Sequence, residues 1–229
     1  MIDFLYTTTT YCMYLCIIAG HVIARAGSNI SLACGGSLEN THQVEWVCQG
    51  CGCEECPPHP GLGLRLVRFS DKITQWDNSF RRTLDTHSYN LVFSPVRVED
   101  NGVYHCLINN QPDMTRGVEM IVEDVPDPPP CRPMIASITT RSITITWATP
   151  LTDNNQPVTS YRVFIRRGGV PVRYINTRAT NTNYTVTGLQ PFTTYSFRVS
   201  AQNILGLSEQ SKESFLTQTH RESKQRCSE

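Results

Sequence analysis

The sequence predicts an all-β protein made of two tandem β-sandwiches. Short segments in which apolar and polar residues alternate recur along the chain, as in "GSNISLAC" and "RSITITW", and turns rich in Gly and Pro separate them. The chain has 229 residues, of which 39% are hydrophobic, which is enough for two domains with separate cores. The proline-dense stretch "VPDPPPCRP" divides the strands into two groups and predicts a semi-rigid linker at residues 126–133.

The N-terminal residues 1–20 predict a secretory signal peptide. An apolar run from Tyr11 to Ile18 precedes the small residues Ala19 and Gly20, although no basic residue comes before it. An artificial or truncated N-terminus is the alternative. No other segment approaches the roughly 18 apolar residues of a membrane helix, so we expect no membrane span, and residues 220–229 are expected to form a polar tail. The protein is therefore expected to be secreted or extracellular.

An extracellular location determines how the ten cysteines are interpreted. Thiols are normally oxidised there, so the eight cysteines outside the predicted signal peptide are expected to pair mostly as disulfides. Asn29 and Asn183 each begin an Asn-x-Ser/Thr tripeptide, and we expect both to carry glycans in the same compartment.

Residues 21–125 contain Cys34, Trp46 and a final Asp-x-Gly-x-Tyr-x-Cys pattern that ends at Cys106. With these residues at these spacings, the segment resembles an immunoglobulin domain. In such a sandwich a disulfide joins the two sheets, a Trp packs against it, and a Tyr two residues before the second Cys closes a corner. The resemblance therefore implies a disulfide between Cys34 and Cys106.

An unusual insertion, residues 48–62, follows the strand that contains Trp46. It contributes four closely spaced cysteines, Cys48, Cys51, Cys53 and Cys56. Their CxxC spacing suits a zinc site, whereas the secretory context favours a loop held by disulfides, which is our expectation, with no bound metal. Four cysteines allow three pairings, and sequential or crossed ones are favoured over the nested one. We expect a stiff projection suited to recognition, a decoration without a partner being the alternative.

Residues 134–219 contain a distinctive set of residues: the strand residues Trp147 and Tyr161, the corner Leu189, Pro191 and Tyr195, and the loop residues Asn203 and Gly206. With this set, the segment resembles a fibronectin type III domain. The resemblance implies seven strands around an aromatic core without a disulfide. The pairing of Cys131 and Cys227 stays open, and a disulfide-linked dimer is one hypothesis.

Charge is distributed unevenly although Lys plus Arg equals Asp plus Glu at 20 each. Residues 21–125 contain 8 basic and 13 acidic residues, and residues 126–229 contain 12 and 6. Four arginines are predicted to lie on one sheet face of the second sandwich: Arg162, Arg166, Arg173 and Arg198. Such a face would suit a sulfated glycosaminoglycan, and a solvated sheet face is the alternative. The zero net charge gives no argument for a nucleic-acid partner.

No motif for catalysis is present, so we expect neither catalytic residues nor a cofactor. The combination of domains resembles adhesion and guidance molecules of the immunoglobulin superfamily. It implies a non-enzymatic recognition or cell-adhesion protein that binds an extracellular protein ligand or a second copy of itself. Two alternatives are a secreted metal-binding factor that uses the cysteine-rich insertion, and a soluble fragment or isoform of a longer cell-surface receptor.

Overall fold

A computed structural model describes residues 20–34, 41–112 and 117–222. The chain divides into two compact units, residues 1–122 and 123–229. Most of the predicted signal peptide and most of the predicted tail lie outside the described residues, as do Cys12, Cys16 and Cys227. Within the described ranges, no helix has the length and hydrophobicity that a membrane crossing requires.

The first unit contains two antiparallel sheets. Its strands are β1 (His21–Arg25), β2 (Ile30–Leu32), β3 (Val44–Gln49), β4 (Pro58–His59), β5 (Gly63–Phe69), β6 (Ile73–Gln75), β7 (Arg82–Leu84), β8 (Leu91–Phe93), β9 (Gly102–Ile108), β10 (Gln111–Pro112) and β11 (Val118–Glu123). The larger sheet has the order β1-β11-β9-β3-β5-β4, with β10 on β9 and β6 on β5. The smaller sheet has the order β2-β8-β7, and one 3-10 turn (Val98–Asp100) precedes β9.

The core of the first unit lies between these sheets, because alternate residues of each strand point inward. Trp46 is 1% exposed, and its indole Nε1 donates a hydrogen bond to the carbonyl of Tyr89 at 2.9 Å. The Tyr104 hydroxyl donates to the carbonyl of Asp100 at 2.7 Å, which closes the corner before β9. Burying these large rings with their polar atoms paired stabilises the unit.

The second unit is also a sandwich of two sheets. Its seven described strands are β12 (Met134–Ile138), β13 (Ser142–Thr146), β14 (Ser160–Arg167), β15 (Val170–Asn176), β16 (Asn183–Thr187), β17 (Thr194–Gln202) and β18 (Thr217–Gln218). One sheet has the order β12-β13-β16 and the other β15-β14-β17-β18. The strand β15 is thus an edge strand, and its register with β14 shifts between Ile165 and Arg166.

Aromatic rings fill the core of the second unit. Trp147 and Tyr161 meet edge to face, with ring centroids 5.3 Å apart. Ile143 and Ile145 on β13 and Phe197 on β17 are fully buried around them. The prediction of an all-β protein with two tandem sandwiches, an immunoglobulin-like one and then a fibronectin type III one, is confirmed.

The start of the proline-dense segment is bound to the second unit. The amide of Asp124 donates to the carbonyl of Asn154 at 3.1 Å, and the Asn154 side chain donates to the carbonyl of Val125 at 2.8 Å. The amide of Asp127 donates to the carbonyl of Thr152 at 3.1 Å. These bonds hold residues 124–127 against the loop that precedes β14. The backbone of a free connector would instead be bound to water.

Candidate binding surfaces

Three disulfides are formed among the described residues, all in the first unit. Cys34–Cys106 joins the two sheets, and the insertion contains the sequential pairs Cys48–Cys51 and Cys53–Cys56. A disulfide sulfur is not a thiolate, so the zinc alternative has no thiolate ligand here. In the described part of the chain, no group of three or more His, Cys, Asp or Glu residues is arranged to hold a metal ion.

The cysteine loop, residues 48–62, lies against the body of the first unit, and the expected projection is wrong. Cys48, Cys51 and Cys56 are buried in the hydrophobic core cluster. The amide of Gly52 donates to the carbonyl of Glu99 at 2.8 Å, which fixes the loop to the 3-10 turn. Cystine side chains are apolar, so the pattern of cysteines draws the loop toward the core instead of away from it.

A buried arginine lies beneath this loop. Arg82 is 1% exposed, its Nη1 is 3.2 Å from Asp77 Oδ2, and its Nε donates to Asp100 Oδ1 at 2.8 Å. Its Nη2 also donates to the carbonyl of Gly52 at 2.8 Å. Burial alone would lower the pKa of Arg82, but the two carboxylates outweigh it and raise that pKa. The guanidinium therefore stays charged and connects the loop to both acids.

The outer side of the loop is acidic and has an exposed aromatic neighbour. The Asn78 side-chain amide donates to the Glu55 carboxylate, and Glu54 is exposed. Phe80, in the same turn as Asn78, is 82% exposed and has a φ of 54°. That left-handed conformation is unusual for a bulky residue. Glu54, Glu55, Asn78 and Phe80 are called the Phe80 patch below.

Three of the four predicted arginines share the outer face of the sheet β15-β14-β17. On β14, Arg162 and Arg166 alternate with the buried Val163 and Ile165. Arg198 on β17 is opposite Phe164, which lies between the two arginines of β14 and points the same way. The alternation of polar and apolar residues in the sequence therefore predicted correctly that these three side chains lie on one face.

Arg173 points to the other face, so the prediction that it joins the other three is wrong. Its register partner is Ile165, a core residue, and its Nη2 donates to the carbonyl of Thr187 in the opposite sheet at 2.7 Å. Side chains directly opposite each other in an antiparallel pair lie on the same face, and this register could not be derived from β15 alone.

A glutamate that the sequence did not reveal binds two of the three outward arginines. Glu213 lies 3.2 Å from Arg166 Nε and 3.0 Å from Arg198 Nη2. The Ser196 hydroxyl donates to the same carboxylate at 2.5 Å, and this bond, together with the two guanidinium groups, lowers the pKa of Glu213. Much of the positive charge that a polyanion would need is thus already compensated.

Arg162 is different, because no carboxylate among the described residues pairs with it. Its Nε donates to Asn176 Oδ1 at 2.8 Å, and its guanidinium lies 4.6 Å from the ring centroid of Tyr174. Tyr174 and Val172 are 57% and 53% exposed, and a cavity of about 280 Å³ lies beside them, lined in part by Phe164. Arg162, Phe164, Val172 and Tyr174 are called the aromatic face below.

After the turn that follows β17, the chain runs back along this strand, and a serine at every third position binds it to β17. The Ser211 amide donates to the carbonyl of Val199 at 2.8 Å, and its hydroxyl accepts from the Val199 amide at 3.0 Å. Ser208 makes the same two bonds with Ala201, and Ser214 makes them with Phe197. Residues 208–216 are called the serine segment below; between its buried serines, Glu209, Gln210 and Lys212 are exposed and Glu213 is half-buried.

The remaining predicted sites are exposed. Asn29 and Asn183 both face solvent, and the Asn29 side chain accepts a hydrogen bond from the Ser94 hydroxyl at 3.1 Å. Their glycosylation stays a prediction. Cys131 is exposed and forms no disulfide with any described residue.

Comparison with known proteins identifies the second unit and its relatives. The family model described as fibronectin type III domain matches residues 127–217. The chain is 35% identical over 206 residues to mosPTP-1 of Aedes aegypti, described as a receptor-type tyrosine-protein phosphatase, covering 87% of this chain and 15% of that protein. It is 32% identical over 160 residues to protein sidekick-1 of Mus musculus, covering 67% of this chain and 7% of that protein.

A further relative is named for cell adhesion. The chain is 29% identical over 167 residues to neural cell adhesion molecule L1 of Takifugu rubripes, covering 66% of this chain and 13% of that protein. The chain therefore spans between 7% and 15% of the length of these three relatives. The activity in the phosphatase's name belongs to that whole protein, of which this chain matches a small part.

Proposed function

The chain is an immunoglobulin-like and fibronectin type III domain protein, and from this premise we propose that it is an extracellular recognition or adhesion module that binds a protein partner. It performs no chemistry on that partner. A relative named for cell adhesion supports the proposal, and the three disulfides support an oxidising extracellular location.

The observation that carries the proposal is the aromatic face. Tyr174 and Val172 are more than half exposed on a sheet whose opposite side is a packed core, so the surface is rigid. Tyrosine and arginine are enriched among the residues that contribute most to protein–protein affinity, because each combines apolar area with polar groups. Here both types are in contact before any partner binds, which lowers the entropy lost on association.

A protein partner fits this surface better than a sulfated glycosaminoglycan. Glu213 binds Arg166 and Arg198, and Arg173 points to the other face. Of the four arginines predicted to bind a polyanion, Arg162 lies on the aromatic face and has no carboxylate partner among the described residues. Polyanion binding depends on several uncompensated charges, whereas protein interfaces need a few anchors surrounded by apolar contacts.

A binding assay with the purified full chain tests the proposal. Labelled chain is offered to cell surfaces and to a panel of extracellular proteins, with Tyr174→Ser as the variant and Leu151→Ser as the control. Leu151 is 83% exposed in a loop of the same unit and does not line the cavity beside the aromatic face. We expect Tyr174→Ser to weaken binding about tenfold or more and Leu151→Ser to leave it unchanged.

Three results would contradict the proposal: no binding to any extracellular surface, equal loss in both variants, or binding that heparin abolishes and Tyr174→Ser does not change. The last of these results would indicate that a glycosaminoglycan is the ligand. Circular dichroism of both variants checks that the sandwich is intact.

A further inference from the structure

We propose that the Phe80 patch of one copy of this chain docks on the aromatic face of a second copy. The proposal rests on the proposed function and names the partner. It is carried by two independent kinds of complementarity, one of charge and one of apolar shape, between surfaces that lie in different units of the same chain.

The charges of the two surfaces match. Glu54 and Glu55 are exposed on the outer side of the cysteine loop, which two disulfides and the Gly52 bond hold in place. Arg162 is a guanidinium without a carboxylate partner in the described chain, and its contacts are a neutral amide and a ring. Opposite charges presented on rigid supports steer two surfaces together and set their orientation.

The charge difference extends beyond these side chains. Residues 21–125 carry a net charge of −5 and residues 126–229 a net charge of +6, while the whole chain is neutral at pH 7. A second copy therefore offers each unit a partner of opposite sign. A solution of neutral, strongly polarised molecules favours contacts between unlike halves over contacts between like halves.

The apolar parts of the two surfaces also match. Phe80 is 82% exposed in a left-handed backbone conformation, an arrangement in which a large ring gains nothing from the core of its own unit. On the aromatic face, Val172 and Tyr174 border a cavity of about 280 Å³. This volume lies at the lower end of the sizes of ligand sites and leaves room for one inserted side chain.

Each copy carries both surfaces, so the contact joins unlike patches. Two copies can form a closed pair with two identical contacts, and if the geometry does not close they form a chain of molecules instead. Both arrangements bury the same two patches, and the same variants test both.

Sedimentation velocity of the purified full chain at about 50 mM and about 500 mM salt tests the proposal. We expect self-association that salt weakens. Arg162→Glu and the pair Glu54→Lys with Glu55→Lys should each weaken it about tenfold or more. Arg178→Glu changes the net charge of its unit as much as Arg162→Glu does, but Arg178 is exposed and belongs to neither patch, so it should weaken association much less. Phe80→Ser should weaken association with less effect on its salt dependence.

The decisive step is to mix the two charge-reversed proteins. The Phe80 patch of the doubly substituted protein is then basic, and the aromatic face of the Arg162→Glu protein is acidic, so the charges of these two surfaces are again opposite. Association between the two variants should therefore be stronger than the weakened self-association of either variant alone. Circular dichroism shows whether each variant is folded, and Phe80→Ser provides a second probe of the same patch if a charge reversal unfolds the chain.

The proposal is overturned if the native chain stays monomeric up to about 100 µM, if charge reversal leaves association unchanged, or if the mixture does not recover it. If the chain is monomeric but Tyr174→Ser weakens its binding to another extracellular protein, self-association is contradicted and the proposed function is not. In that case the proposed function stands, with a different protein bound to the aromatic face.

Discussion

Arg82 shows how one residue joins segments that are distant in the sequence. It contacts Asp77, Asp100 and the carbonyl of Gly52, so it connects a turn, the corner before β9 and the cysteine loop. The sequence predicted the neighbouring Trp46 and Tyr104, because their spacing to the cysteines is distinctive. It did not reveal Arg82, since arginine is ordinarily exposed and its partners are set by strand register instead of local spacing.

Replacing this arginine should destabilise the first unit strongly. Arg82→Met keeps much of the side-chain volume but leaves the buried Asp77 without its charge partner and Asp100 with Arg81 alone, so we expect a loss of about 3–5 kcal/mol in the free energy of unfolding. Urea unfolding followed by tryptophan fluorescence measures it.

Arg97→Gln is the matched control for this substitution. Arg97 belongs to the same charged region but is 56% exposed and pairs with Glu99, so its loss should cost about 1 kcal/mol or less. Equal effects of the two substitutions would show that burial of the Arg82 cluster does not determine its contribution.

At the scale of the element, the serine segment replaces a regular strand. Its hydroxyls accept from β17 amides, and its own amides at every third residue donate back. The alternation rule that found β13 and β14 could not find this arrangement, because a period of three differs from the period of two that the rule detects. For the same reason Glu213, which lies between Ser211 and Ser214, was not expected to reach Arg166 and Arg198.

Removing one of these hydroxyls should weaken the edge of the sheet. Ser211→Ala leaves the buried amide of Val199 without its acceptor, which should cost about 1–3 kcal/mol in the free energy of unfolding of the second unit. Lys212→Ala is the control, since Lys212 is exposed and adjacent. Hydrogen exchange by mass spectrometry should show faster exchange in β17 for the first variant only, and unchanged exchange would contradict the bonding described here.

At the scale of the whole molecule, the two units are stabilised by different means. The described disulfides all lie in the first unit, whereas the second has a core of aromatic and branched side chains. The sequence predicted this division from the cysteine and tryptophan positions. It could not predict that the cysteine loop folds back on the core, because loop direction depends on contacts such as that of Gly52 with Glu99, which no local pattern specifies.

Reduction should therefore affect the two units unequally. Cys34–Cys106 closes a loop with a sequence separation of 72, and such a loop contributes about 4 kcal/mol in the chain-entropy picture, while each short pair contributes about 2. Calorimetry with a reducing agent should move one thermal transition to lower temperature and leave the other in place. A single transition that shifts as a whole would contradict independent stabilisation.

The edge strand β15 has a consequence for how the protein behaves at high local concentration. Exposed β-edges with apolar side chains can recruit further strands and seed fibrils. Pro171 supplies no amide hydrogen to that edge, and the register irregularity opposite it interrupts a straight template. Crowded molecules thus keep Val172 and Tyr174 exposed while their backbones resist amyloid-like polymerisation.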